Sequence, residues 1–148
     1  MARFARLLLV AALALAGGMA AARAADPVAV AIDTPGICAN QAVLSRISSR
    51  FTYQVNHVPH LAKVAIADFH RIRESRHQPQ IAGERPIDRR YCHARAELSS
   101  GVSRDVWYVI ERPMGFAGFG SNVEFCVSGF DRWNVYDGRC RVLRPALW

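Results

Sequence analysis

The residues of this sequence with the clearest chemical role are its four cysteines, Cys38, Cys92, Cys126 and Cys140. An even number of cysteines is typical of paired disulfides in an exported chain, and the N-terminus described below indicates export. A structural zinc site is the alternative, but no two of the cysteines have the close C-x-x-C spacing that such sites usually show. We therefore expect two disulfide bonds, no metal and no other cofactor.

The sequence has five histidines, at His57, His60, His70, His77 and His93. They do not form a recognisable catalytic or metal-binding motif. Pro59 separates the closest pair, His57 and His60, which argues against a shared helical face. Cys92 and His93 could suggest a thiol and its base, but neighbouring residues of a strand point to opposite faces. Motifs such as G-x-S-x-G, H-E-x-x-H and the P-loop are also absent from the sequence, so we expect no catalytic residue.

A glycine-rich loop at residues 113–120 (PMGFAGFG) carries two phenylalanines, Phe116 and Phe119. Glycine loops that bind phosphate lead into the N-terminus of a helix, whereas this loop leads into a predicted strand. Two interpretations remain open. Either the loop is a long hairpin connection whose phenylalanines pack under the end of the sheet, or Phe116 and Phe119 are exposed anchors for a partner.

Arginine is concentrated in residues 71–97, which contain seven arginines against four acidic residues. Guanidinium groups bind phosphate and carboxylate through two parallel hydrogen bonds. We therefore consider an anion site formed by Arg71, Arg73, Arg89 and Arg95, with lipopolysaccharide or another anionic envelope component as its ligand. The alternative is a solvated, charge-rich pair of strands that discourages aggregation at the edge of the sheet.

The N-terminus has the layout of a secretory signal peptide. Arg3 and Arg6 precede an apolar run at residues 7–15, and an A-x-A pattern ends at Ala24. The run is short for a bilayer and is followed by two glycines, which argues against a transmembrane anchor. We expect cleavage after Ala24 and a single domain over residues 25–148, periplasmic or secreted. Its 16 basic and 12 acidic residues give a net charge of +4, too small to indicate nucleic-acid binding.

The elements that position these residues are one helix followed by strands. Thr34 and Pro35 suit the N-cap and first position of a helix, and five apolar residues form one helical stripe: Ile37, Val43, Leu44, Ile47 and Phe51. Residues 52–62 are predicted to be a connector with a short extended piece at 53–55. Strands are predicted at 63–77, with a bulge near Asp68, at 87–98, at 105–111 and from Ser121 onward.

This order predicts an α+β domain, with the helix packed on a four-stranded antiparallel meander of cystatin-like or grip-like appearance. Alternation places Cys92 on the inner face of the sheet and Cys126 on the outer face. In a meander their strands are separated by a third, about 9 to 10 Å, which is farther than a disulfide spans. We therefore expect Cys38 to pair with Cys92 and Cys126 with Cys140.

Two stretches, RRYCHARAELSSG and GFGSNVEFCVSGFDRWNVYDGRCRVL, resemble small exported proteins of Gram-negative bacteria for which no activity is known. The resemblance implies secretion and paired cysteines, and it assigns no role to any other residue. Together with the missing catalytic motifs, it favours a non-catalytic periplasmic or secreted binding module whose partner is an envelope protein or an anionic envelope component.

Two alternatives remain. One is an inhibitor of an envelope enzyme that uses Phe116 and Phe119 as a wedge. The other is an enzyme with an unrecognised site, for which a buried polar cluster around His70 or His93 in a deep pocket would be the sign.

Overall fold

A computed structural model of the chain describes residues 36–114 and 120–144. Several predicted features lie outside these residues: the signal peptide with its cleavage after Ala24, the pair Thr34 and Pro35, and the loop residues Phe116 and Phe119. Within the described part, no helix combines the length and the apolar character needed to cross a membrane.

The helix, α1, spans Gln41–His57 and follows a 3-10 turn at Ile37–Ala39. Asn40 is its N-cap, because the Asn40 side chain accepts hydrogen bonds from the backbone N–H groups of Ala42 and Val43. The prediction that this helix begins at Thr34 and Pro35 is therefore wrong. The predicted connector at residues 52–62, with an extended piece at 53–55, is wrong up to His57, because the helix continues there and Val55, one turn after Phe51, extends the buried stripe. Residues 58–62 do connect the helix to the sheet.

Four antiparallel strands follow in the order β1-β2-β3-β4, which confirms the predicted meander and the α+β class. The bounds are Ile66–Gln78 for β1, Asp88–Leu98 for β2, Ser103–Arg112 for β3 and Asn122–Val127 for β4. The register of β1 against β2 shifts between Ile66 and Asp68, which confirms the predicted bulge, and it shifts at two further places. These additional shifts were not predicted.

The inner face of the sheet forms the main core against α1. Cys92, Ala94, Ala96 and Leu98 of β2 are all buried there, as their alternation predicts. At the centre lies Tyr108 of β3, whose hydroxyl donates a 2.6 Å hydrogen bond to the backbone carbonyl of Cys38. This bond joins the 3-10 turn before α1 to the middle of the sheet.

The outer face of the sheet is partly covered by the C-terminal segment. A small second cluster there contains Val109, Cys126, Cys140 and Leu143, with Trp107 packed against it. The two disulfides serve the two faces: Cys38 is bonded to Cys92 on the inner side, and Cys126 is bonded to Cys140 on the outer side. This is the pairing that strand alternation predicts.

The two edges of the described sheet differ. At the β4 edge, side chains of α1 donate hydrogen bonds to three backbone carbonyls: Arg46 to Ser121 just before the strand, Arg50 to Val123 within it and Gln54 to Phe130 just after it. Along β1, no side-chain hydrogen bond from α1 is present among the described residues. The helix therefore covers the β4 edge of the sheet. At the β1 edge, the register shifts of the strand are the irregularity that can discourage pairing with another chain.

Candidate functional site

The most prominent apolar surface of the described residues is a groove between α1 and the segment that follows β4. Tyr53 is 66% exposed, Trp133 65% and Val135 67%. All three line this one groove, which has a volume of about 440 Å³. Exposed aromatic and aliphatic side chains that converge in this way are typical of interaction sites rather than of ordinary surface.

The helical wall of the groove is held by contacts within the chain. The rings of Phe51 and Phe130 pack edge to face at 4.9 Å below it. Tyr53 stacks on the ring of His57 at 3.8 Å, and His57 Nδ1 donates a hydrogen bond to the carbonyl of Tyr53. Tyr53 is therefore positioned before any partner binds, although most of its surface faces solvent.

The opposite wall is a tight loop. Asp131 accepts a 3.1 Å hydrogen bond from the backbone N–H of Tyr136, and Asn134 adopts a positive φ of 53° in the turn between them. The disulfide of Cys126 and Cys140 closes the end of this segment. Burial, followed by the charge of Glu124, raises the pKa of the Tyr136 hydroxyl. The hydrogen bond and the disulfide therefore hold the loop that carries Trp133 in place.

Sequence reasoning does not predict this groove, because it places Tyr53 in a connector and gives no role to Trp133. One signal was present. Trp133 and Val135 lie among turn-forming residues, Asp131, Asn134, Asp137 and Gly138, where no strand is available to bury them.

The four arginines proposed for an anion site occupy different environments. Arg89 donates a 2.8 Å hydrogen bond to the buried carboxylate of Glu111, which raises the pKa of Arg89. Arg95 lies 3.6 Å from Asp105. Arg71, with a positive φ of 53°, and Arg73 have no carboxylate within 4.0 Å among the described residues. Two of the four are therefore paired within the fold, and two are not.

His93 is the one buried member of a polar cluster on the outer face of the described sheet, since its partner Asp105 is 39% exposed. It is 5% exposed, its Nε2 donates to Asp105 at 2.9 Å, and its ring lies 4.1 Å from that of Trp107. Burial lowers the pKa of His93, while the hydrogen bond to Asp105 and the charges of Arg73 and Arg95 have smaller, mixed effects. The groove beside Trp133 does not include His93, and neither do the two described next.

Two further grooves are more polar. One, of about 560 Å³, lies between the serine-rich side of α1 and the first half of β1. The other, of about 670 Å³, includes Asp88 and Arg90. There His77 donates a 2.6 Å hydrogen bond to Asp88, and Arg90 pairs with Glu74 at 2.8 Å. Arg90 also lies 3.6 Å from Asp88, whereas Arg112, which lines the same groove, has no carboxylate within 4.0 Å among the described residues.

No group of three or more His, Cys, Asp or Glu side chains in the described part of the chain is arranged to hold a metal ion. Comparison with known proteins found no matching family model, no matching curated protein and no matching solved structure. The function must therefore be argued from the surfaces of this chain.

Proposed function

We propose that the chain is a non-catalytic binding module of the periplasm or the extracellular space, and that it holds an apolar segment of an envelope protein in the groove between α1 and the Trp133 loop. The observation that carries this proposal is the convergence of Tyr53, Trp133 and Val135, each about two-thirds exposed, on a single groove. Tryptophan and tyrosine are the side chains most often responsible for binding energy at protein interfaces.

The groove needs little reorganisation before binding. The Cys126–Cys140 disulfide closes one wall, and the Phe51–Phe130 contact supports the other. Ordering a loop on binding reduces affinity, so a loop that is already held in place loses less. This preorganisation is what a binding surface requires.

The chemistry of the groove favours an apolar occupant over an ionic one. Its lining charges, Arg50 and Asp131, are opposite in sign. Arg50 already donates to the carbonyl of Val123, and Asp131 already accepts from Tyr136. Both charged side chains of the lining are therefore already bonded within the fold, and the exposed apolar side chains Trp133 and Val135 remain for the partner.

The compartment is supported by the two disulfides, which persist in oxidising environments outside the cytoplasm. The predicted signal peptide supports export, so the partner is sought in the envelope. The inhibitor alternative stays a prediction, because Phe116 and Phe119 lie outside the described residues.

The test combines capture with a matched pair of variants. A photo-crosslinking amino acid at Tyr53 should capture an envelope protein through one apolar segment, which is identified by mass spectrometry. Trp133→Ser should weaken binding of that purified protein by tenfold or more, about the effect of losing a central interface residue.

Val142→Ser is the control, because Val142 is 61% exposed but does not line the groove. It should leave the affinity unchanged. Equal effects of Trp133→Ser and Val142→Ser, or capture through a charged segment, would refute the proposed site.

A further inference from the structure

Three basic residues recur at three-residue intervals along β1: His70, Arg73 and Arg76. In a regular strand this spacing would send successive side chains to opposite faces of the sheet. In β1, however, the register shifts once between His70 and Arg73 and again between Glu74 and Arg76. Each shift accommodates one extra residue, as a β-bulge does.

The shifts place the three residues on one face. Their Cα partners on β2 are alternate residues: Arg95, His93 and Tyr91. Alternate residues of a strand share a face, and directly paired residues on neighbouring strands share it too. His70, Arg73 and Arg76 therefore form a row on the outer face, which we call the basic row.

The two arginines of the basic row are not ion-paired within the described residues. Neither Arg73 nor Arg76 has a carboxylate within 4.0 Å in the part of the chain that the structure describes. On the neighbouring strand, by contrast, Arg89, Arg90 and Arg95 each have such a partner. The guanidinium of Arg76 instead lies 5.9 Å from the centre of the Tyr91 ring, a cation–π contact that orients it.

The row lies on an edge strand, and no other strand of the described residues pairs with the far side of β1. Arg73 and Arg76 are both exposed. A ligand can therefore approach the row both from the outer face and from the side of the sheet.

We propose that the basic row binds an extended acidic segment of a partner protein, with carboxylates at alternate residues. Alternate residues of a strand are about 7 Å apart, so the charges of such a segment would match the spacing of the row. Arginine pairs with carboxylate through two parallel hydrogen bonds. The row is at the opposite edge of the sheet from the Trp133 groove, and this inference does not depend on that groove.

The experiment compares two synthetic peptides of the same composition. One alternates glutamate and threonine, and the other carries its glutamates in adjacent pairs. The exported chain should bind the alternating peptide more tightly, and added salt should weaken this binding because exposed charges are screened over about 8 Å at physiological ionic strength. Arg73→Gln with Arg76→Gln should reduce the affinity about fivefold or more while the melting temperature stays the same.

Two control variants test the position and the charge. Arg132→Gln with Arg139→Gln removes the same charge from two exposed residues away from β1 and should have little effect. Arg73→Lys with Arg76→Lys keeps the charge and should bind better than the glutamine variant.

Three results would overturn the inference. One is equal affinity for the two peptides. Another is an equal loss of affinity in the Arg73→Gln, Arg76→Gln variant and in the Arg132→Gln, Arg139→Gln control. Either result would indicate unspecific charge attraction. Binding to phosphatidylglycerol vesicles without binding to either peptide would assign the row to a lipid surface instead.

Discussion

Arg50 of α1 donates a 2.8 Å hydrogen bond to the backbone carbonyl of Val123 in β4. Arg46 and Gln54 donate similar hydrogen bonds to the carbonyls of Ser121 and Phe130. Together the three side chains satisfy carbonyls that would otherwise face solvent at this edge of the sheet. Unpaired edges are sites of intermolecular strand pairing. The helix thus packs on the inner face with its apolar stripe and covers the β4 edge with a polar one.

We expect Arg50→Met to reopen this edge. The variant should lose about 1 kcal/mol of the free energy of unfolding, because one hydrogen bond to a partly buried carbonyl is removed. It should also self-associate at lower protein concentration than the parent, which light scattering would detect. Arg104→Met, at an exposed arginine of β3, is the control. Equal self-association of the two variants would show that Arg50 has no special role at the edge.

Tyr108→Phe tests the link between the sheet and the turn before α1. The tyrosine is fully buried, and its hydroxyl donates to the Cys38 carbonyl at 2.6 Å. The substitution leaves that carbonyl unpaired, which should lower the free energy of unfolding by about 1 to 3 kcal/mol. Urea denaturation measures the loss. An unchanged midpoint would mean that water or another donor replaces the hydroxyl.

The disulfides should contribute unequally to stability. Cys38 and Cys92 are 54 residues apart, and Cys126 and Cys140 are 14 apart. By the loop-entropy model, replacing the pairs with alanine should cost about 4 and about 3 kcal/mol respectively. Only the loss of the Cys126–Cys140 bond should also weaken partner binding, because it releases the Trp133 loop. Urea denaturation of both double variants measures the stability losses. Partner binding is measured for both as well, and equal weakening in the two variants would contradict the specific role of the Cys126–Cys140 bond.

His93 should make the stability of the fold dependent on pH. Burial lowers its pKa in the folded state, whereas the unfolded chain should show a value near 6.5. As the pH falls below about 6.5, the unfolded chain binds a proton that the folded chain does not, so the free energy of unfolding decreases. Protonation in the fold would also create an N–H donor at Nδ1, which is buried and has no partner among the described residues.

We expect His93→Gln to reduce this pH dependence, since glutamine can still donate to Asp105 and does not titrate. The measurement is urea denaturation at several values between about pH 7 and pH 5. His60→Gln, at an exposed position, controls for the removal of a histidine. A steeper dependence in the His93 variant would show that another group is responsible.

Strand alternation was sufficient to predict the disulfide pairing. Cys92 has the same parity as Ala94, Ala96 and Leu98, so the apolar second half of β2 indicates its inward direction from local pattern alone. Cys126 alternates with Phe125 and Val127 and so faces outward. Once both directions are known, the geometry of a meander allows few alternatives.

The surfaces could not be predicted in the same way, because they depend on long-range placement. The basic row exists only because β1 shifts register against β2 on both sides of Arg73, and the alternation within β1 predicts only the earlier shift near Asp68. The Trp133 groove requires the last turns of α1, which Pro59 made difficult to predict. Tyr53 and Trp133 also lie far apart in the sequence and meet only in the folded chain.

The four strands are not held equally, and this affects which of them opens first. β2 and β4 are each anchored by a disulfide, and α1 covers the free edge of β4. β1 depends on its ladder with β2 and on a few partly buried side chains such as Phe69. Its amide hydrogens should therefore exchange with solvent first, through local fraying that leaves the rest of the domain intact. An extended ligand on the basic row would slow that exchange, so the exchange rate of the β1 amides would show whether a ligand is bound there.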